Sequence, residues 1–315
     1  MVFNKIKEQY LRSLKSMDTE EFIDLAFYRP LGYLCAVLCS KLGITPNAIT
    51  IASIFLGVAG GILLYFHGEL VLLNYVGILL IVWANLFDSA DGQLARMTKQ
   101  YSKLGRILDG MSGDLWFIAI YVAICFRVNE TDAVFAESRW MIWVIAVFAG
   151  IFHAKQAATA DYYRQFHLYF LKGESGSELD SCKVLDERLK ELSWKKHFWT
   201  KTALFLYRHY TANQEKFTPC MQMLRAELQN RYNGNIPQSF RDAFREKSKP
   251  LMKYTNMLTF NMRIIVLFIS ITIKMPYLYF LFELTVLNIM LIYMIKRHEY
   301  ICDVFVMELR RERFK

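Results

Sequence analysis

Asp88, Asp91 and Asp109 are the residues of this chain best suited to chemistry. They sit in the run Asp88-x-x-Asp91-Gly92-x-x-Ala95-Arg96, followed by eight residues and then Gly105-x-x-x-Asp109. Residues three or four apart share a helical face, because each residue turns the helix by about 100°. Carboxylates that converge at a membrane surface repel one another unless cations sit between them. All-oxygen ligands of this kind suit Mg²⁺ or Mn²⁺. Gly92, Ala95 and Gly105 are small enough for a nucleotide diphosphate to approach the backbone, and Arg96 offers phosphate a bidentate grip.

The elements that carry these residues are apolar blocks. Of 315 residues, 54% are hydrophobic, and each main block approaches the roughly 20 residues that a bilayer requires. The pattern predicts spans at about 47–66, 70–87, 107–126 and 140–160. Two closer ones follow at about 262–273 and 277–295, separated by Lys274-Met275-Pro276. The second span ends directly in Asp88 and so delivers carboxylates to a membrane surface. An all-α integral membrane fold with six transmembrane helices follows. A shorter amphipathic piece from Phe22 to Leu42, containing Arg29-Pro30, reads as an interfacial helix with prolines as elbows.

Five segments result: 1–45, N-terminus and interfacial helix; 46–161, spans one to four with the motif; 162–257, a helical insertion; 258–296, spans five and six; and 297–315, a basic tail. Loop signals inside the insertion are Lys172-Gly173-Glu174-Ser175-Gly176-Ser177 and Asn233-Gly234-Asn235-Ile236-Pro237.

The net charge of +9 comes from Lys and Arg crowded between and beyond the apolar blocks. The positive-inside rule then puts both termini, the insertion and the Asp-rich site on the cytoplasmic side, facing membrane lipids of anionic headgroup. Nucleic acid is excluded as a partner, since basic residues mingle with acidic ones and no nucleic-acid-binding motif is present. The N-terminus lacks the apolar core and cleavage site of a secretory signal, so the first span is expected to direct insertion. Cys35, Cys39, Cys125, Cys182, Cys220 and Cys302 have no paired CxxC spacing and read as reduced, structural residues. No Cys/His spacing for zinc is present. The triplet Asn129-Glu130-Thr131 is short enough to match a glycosylation signal by chance. Lys195-Lys196-His197-Phe198-Trp199 and the tail with Arg310, Arg311 and Arg313 read as surfaces touching the bilayer.

At Asp88, Asp91, Gly92, Ala95, Arg96, Gly105 and Asp109 the sequence resembles the CDP-alcohol phosphotransferase (CDP-alcohol phosphatidyltransferase) family, whose signature is DxxDGxxAR, a variable gap, then GxxxDxxxD. Asn47 and Thr50, at the head of the first span, also look like that family's Pro-Asn-x-x-Thr. The resemblance implies a six-span enzyme, commonly a homodimer. In it Asp88, Asp91 and Asp109 bind Mg²⁺ or Mn²⁺, and Asn47, Thr50, Asp88, Gly92, Ala95, Arg96 and Gly105 bind the CDP moiety. The implied reaction moves a phosphate-linked group from a CDP-alcohol, with CDP-diacylglycerol the first expectation, to an acceptor alcohol such as inositol phosphate or glycerol phosphate. CMP is released, in phospholipid or sphingolipid synthesis. The rival from another class is a membrane protein that keeps CDP-nucleotide and metal binding but is catalytically impaired.

One departure separates the chain from the signature. Four residues after Asp109, where the family has its fourth aspartate and candidate general base, stands Gly113, and Asp114 follows. On a regular helix Asp114 points about 140° from Asp109 instead of about 40°. A π-bulge, eased by Gly110 and Gly113, would restore its direction and complete a metal and catalytic set of Asp88, Asp91, Asp109 and Asp114. Without a bulge, another group serves as base or the protein turns over poorly. For the acceptor, Lys155 in the polar end of the fourth span, with Arg106 and Arg263, is expected to bind a phosphorylated or polyhydroxy alcohol. Glu283 and Lys274 read as packing or interface residues.

Overall fold

A computed structural model describes residues 8–11, 13–14, 16–173 and 179–311, apart from the side chains of Lys103, Leu104, Arg106, Ile107, Lys172 and Leu206. It is all-α among the described residues, and six helical stretches are long and apolar enough to cross a membrane. The protein is thus an all-α integral membrane protein. Its chain divides into two compact units, Met1–Phe152 with Phe260–Thr285, and His153–Thr259 with Val286–Lys315. The boundaries between the units fall at 152/153, 259/260 and 285/286.

The first unit opens with a π-helical turn, Asp24–Tyr28, that runs into α1, Arg29–Lys41. Pro30 makes no elbow here. It lies in the first turn of α1, where a missing N–H leaves no helical bond unmade. Helix α2, Pro46–Leu63, starts at Thr45, whose side chain accepts from the Ala48 amide. Its buried face carries Thr50, Ser53, Gly57, Gly60 and Gly61. Between helices in lipid there is no hydrophobic drive, so close backbone approach takes over. A Cβ on Gly60 would stand 2.6 Å from the Gly77 carbonyl, and one on Gly77 would stand 2.6 Å from the Gly60 carbonyl. Gly57 lies against the Trp116 ring, and Gly61 against Ala119 and Ile120.

Helix α3, Leu72–Thr98, ends at Lys99 in the left-handed region, φ 57°. Helix α4, Lys103–Thr131, begins at Ser102, which accepts from the Gly105 amide at 2.8 Å. The turn between them is short, so the last turns of α3 lie beside the first turns of α4. Helix α3 runs on past the apolar block, as the shared helical face of Asp88 and Asp91 requires. Its last eleven residues include good helix formers and no proline, so the helix continues and holds Asp88 and Asp91 on its own surface. The unit also contains α5, Ala133–Glu137, the start of α6, Arg139–Lys172, and two helices from later in the chain, α12, Phe260–Thr272, and α13, Tyr277–Leu284. Phe117, Ile120 and Ile124 of α4 pack in one core with Ile81, Leu267 and Phe280.

The second unit holds the rest of α6, then α7, Cys182–Glu191; α8, Phe198–Lys216; α9, Pro219–Tyr232; α10, Gln238–Ser248; α11, Met252–Met257; and α14, Val286–Arg310. Helix α6 runs past 161 because Tyr162, Phe166 and Phe170 continue its buried stripe. The expected tail is mostly not a separate element. Ile301, Phe305 and Leu309 extend the buried face of α14, and Arg231 binds the Leu309 carbonyl, so one face of residues 297–310 packs into the core of this unit. Residues 174–177 of the first loop signal, and 312–315, lie outside the described residues. At the second loop signal, Asn233 ends α9 with φ 46°. Lys195 to Trp199 are exposed, Trp199 at 82%, and helical only from Phe198.

Candidate active site

The short α3–α4 turn brings carboxylates of two helices together. One oxygen from each of Asp88, Asp91 and Asp109 lies within 4.8 Å of the others. Asp91 is buried, Asp88 half-buried and Asp109 exposed, so the group opens on the Asp109 side. Two hydroxyls hold it from behind. Thr50 Oγ1 of α2 donates to Asp91 Oδ2, and Ser112 Oγ of α4 donates to Asp88 Oδ1 at 2.8 Å. Ser112 escaped the sequence reading. The available signal was a hydroxyl three residues beyond Asp109, hence on nearly the same face of α4.

The small residues behave as close-approach positions. A Cβ on Gly105 would run into Asn47 Oδ1 and stand 2.9 Å from Ser102 Oγ. Asn47 Oδ1 itself accepts from Ser102 Oγ at 3.0 Å, which ties the head of α2 to the head of α4. Gly92 and Ala95 are partly exposed on the face of α3 that carries Asp88 and Asp91. Arg96 folds back over Gly92. Its Nη atoms lie 3.4 and 3.5 Å from where a Gly92 Cβ would be, while its Nε donates to the Ser13 carbonyl. Three oxygen-bearing acids in this spacing fit a hard divalent cation.

Asp114 is not part of the group. Helix α4 is α-helical without a π segment from Lys103 to Thr131, so the bulge that would re-aim Asp114 is missing. The regular backbone leaves it exposed on another face, outside the three-carboxylate group. Gly113, on the Asp109 face, has open space where a side chain would project.

The three basic residues expected at the acceptor fare differently. Arg263 is only 1% exposed and forms an ion pair with Glu283, which also accepts from Tyr121 and from Tyr279 at 2.7 Å. A guanidinium committed to this buried cluster is not presented to an acceptor, and Glu283 is a buried packing residue paired with it. The Arg106 side chain lies outside the described residues. Lys155 is exposed on α6 and belongs to the second unit.

The fold and site therefore define a multi-pass helical membrane protein with an acidic group on two adjacent spans, backed by small residues. Residues 43–166 match the family model described as CDP-alcohol phosphatidyltransferase, a family of transferases that use a CDP-alcohol. The matched stretch runs from the loop before α2 into α6 and contains all of Asn47, Thr50, Asp88, Asp91, Gly92, Ala95, Arg96, Gly105 and Asp109. Comparison with curated proteins and with solved structures gave no match.

Proposed function

We propose that the protein transfers the phosphate-linked group of a CDP-alcohol, CDP-diacylglycerol first, to an acceptor alcohol such as inositol phosphate or glycerol phosphate. It releases CMP and serves phospholipid or sphingolipid synthesis. The observation that carries this reading is the convergence of Asp88, Asp91 and Asp109 within 4.8 Å, inside the stretch matched by the family. Asp88, Asp91 and Asp109 would hold Mg²⁺ or Mn²⁺, and such a cation neutralises phosphate charge and favours departure of the nucleotide.

The chain's own residues have separate tasks in this scheme. Thr50 and Ser112 fix the carboxylates. Asn47, Gly92, Ala95 and Gly105 admit the nucleotide, and Arg96 binds its diphosphate. The acceptor oxygen forms a bond to the β-phosphorus as the bridge oxygen leaves with CMP. The hydroxyl proton passes to Asp109, the exposed member of the group. The basic segments around the α3–α4 turn support a cytoplasmic site, and the family supports a homodimer.

The test is CMP release from CDP-diacylglycerol by purified protein in nanodiscs with Mg²⁺ or Mn²⁺, with a screen of acceptors read by product mass. Absence of CMP under all donors and acceptors would overturn the reading. The impaired-binder alternative is favoured by one observation, the open space at Gly113 where the family signature has an aspartate. It predicts CDP binding with no CMP release. Particle mass in the same nanodiscs tests the dimer.

A further inference from the structure

The face of α3 next to the carboxylates is covered by residues that precede the family-matched stretch. By helical rotation of about 100° per residue, Asp88, Asp91, Gly92 and Ala95 share one arc of α3, and Ser89, Gln93 and Arg96 share the adjoining one. Every one of these last three is bound by the N-terminal segment. Arg29 Nη1 donates to Ser89 Oγ at 3.1 Å. Gln93 Nε2 donates to Ser13 Oγ and to the Arg29 carbonyl, both at 3.1 Å. Arg96 Nε donates to the Ser13 carbonyl. The segment is itself held in place. Glu20 pairs with Arg29 Nε at 2.9 Å, and Asn261 of α12 donates to Glu21 and Asp24, each at 2.9 Å. Contact is close enough that a Cβ on Gly32 would stand 2.7 Å from Gln93 Oε1 and 3.4 Å from the Ala90 amide. Gln93 and Ser13 are almost wholly buried, 0% and 1% exposed.

A guanidinium has several N–H donors in a rigid fork. Here the inner one is used by Ser13, and the two terminal nitrogens are laid over Gly92, on the arc that faces the carboxylates. We propose that residues 13–14 and 16–29 form a clasp that pre-orients Arg96 toward the nucleotide diphosphate, with Ser13, Gln93 and Arg29 as positioning residues. The inference rests on the CDP-alcohol reading above. It means that the nucleotide site is completed by a segment outside the matched domain, and that Gln93, an unspecified position of the signature, links the two. Pre-orientation lowers what the side chain must give up on binding, so its loss weakens binding before it slows chemistry.

A mutant cycle over Gln93→Leu, Arg96→Lys and the pair tests this, with CDP binding by calorimetry in Mg²⁺ and CMP release from CDP-diacylglycerol as readouts. Loss of a hydrogen bond to a charged or buried group predicts that Gln93→Leu weakens CDP and raises the donor KM by about tenfold, with kcat within about threefold. On top of Arg96→Lys it should add less than about twofold, because both changes act through one guanidinium. Should Gln93→Leu fail to fold, Ser13→Ala takes its place, with an expected effect of about threefold in the same direction. Effects that multiply, or a CDP affinity that neither variant changes, overturn the clasp while the functional reading stands. Native protein that neither binds CDP nor releases CMP overturns both.

Discussion

Thr50 and Asp91 are joined by a hydrogen bond across the crossing of α2 and α3, with 2% and 4% of their surfaces exposed. The bond occupies one carboxylate oxygen from behind. It exists because Gly57, Gly60 and Gly61 let α2 sit against its neighbours without intervening side chains. Thr50→Val keeps the shape and removes the donor. Partners that orient metal ligands are worth about 10- to 100-fold in affinity, so Mn²⁺ binding followed by electron paramagnetic resonance should weaken on that scale with the fold intact.

The carboxylates should divide into two classes. Asp91→Asn and Asp109→Asn each remove a member of the group and should cut CMP release by about a hundredfold or more, the scale of one active-site electrostatic group. Asp114→Asn should leave the rate within about threefold, since a general base contributes about 10²- to 10⁴-fold and Asp114 is directed elsewhere. A loss of that size in Asp114→Asn would assign it the proton after all.

Gly57→Leu drives a side chain into the Trp116 indole. Overpacking of a filled core costs about 1–3 kcal/mol, and here the neighbour is a large ring. A lower Tm in detergent and a weaker response to Mn²⁺ are both expected, because displacement of α2 also moves Thr50.

Arg263 and Glu283 supply a test that separates stability from acceptor binding. Breaking a buried pair by removing one partner costs about 3–5 kcal/mol, whereas replacing both by apolar residues is far milder. Arg263→Met should therefore lower the Tm strongly, and Arg263→Met with Glu283→Leu should recover most of it. The acceptor KM in the double variant should match that of the native protein. A raised acceptor KM with restored Tm would return Arg263 to the acceptor site.

Burial pushes the Cys35 thiol of α1 up to about 11, with Cys39 Sγ at 4.0 Å adding to it. The thiolate is the reactive form. A raised value keeps the thiol neutral at ordinary pH, leaving about one thiolate in a thousand at pH 8. Alkylation of Cys35, followed by peptide mass, should be slow at pH 8 and rise about tenfold per pH unit toward 11.

Much of this was legible in the sequence because bilayer spans and helical spacing are local properties. The apolar blocks fixed the number of spans and the all-α fold, and the spacing of Asp88, Asp91 and Asp109 already required a shared face once two adjacent helices turned back on each other. Helix ends were less legible. Aspartates and basic residues closed the apolar block at Phe87, yet helix formers carried α3 on to Thr98, and aromatic residues carried α6 past Ala160. What only tertiary structure decided were pairings between residues far apart in the chain. Arg263 looked like an acceptor ligand until Glu283, twenty residues on, was found to neutralise it. Thr50 became a support of Asp91, and Ser13 a partner of Arg96, through contacts that no local pattern encodes. A sequence states which charges a chain must place, and packing decides which of them meet, because the attraction between two groups depends on distance and burial.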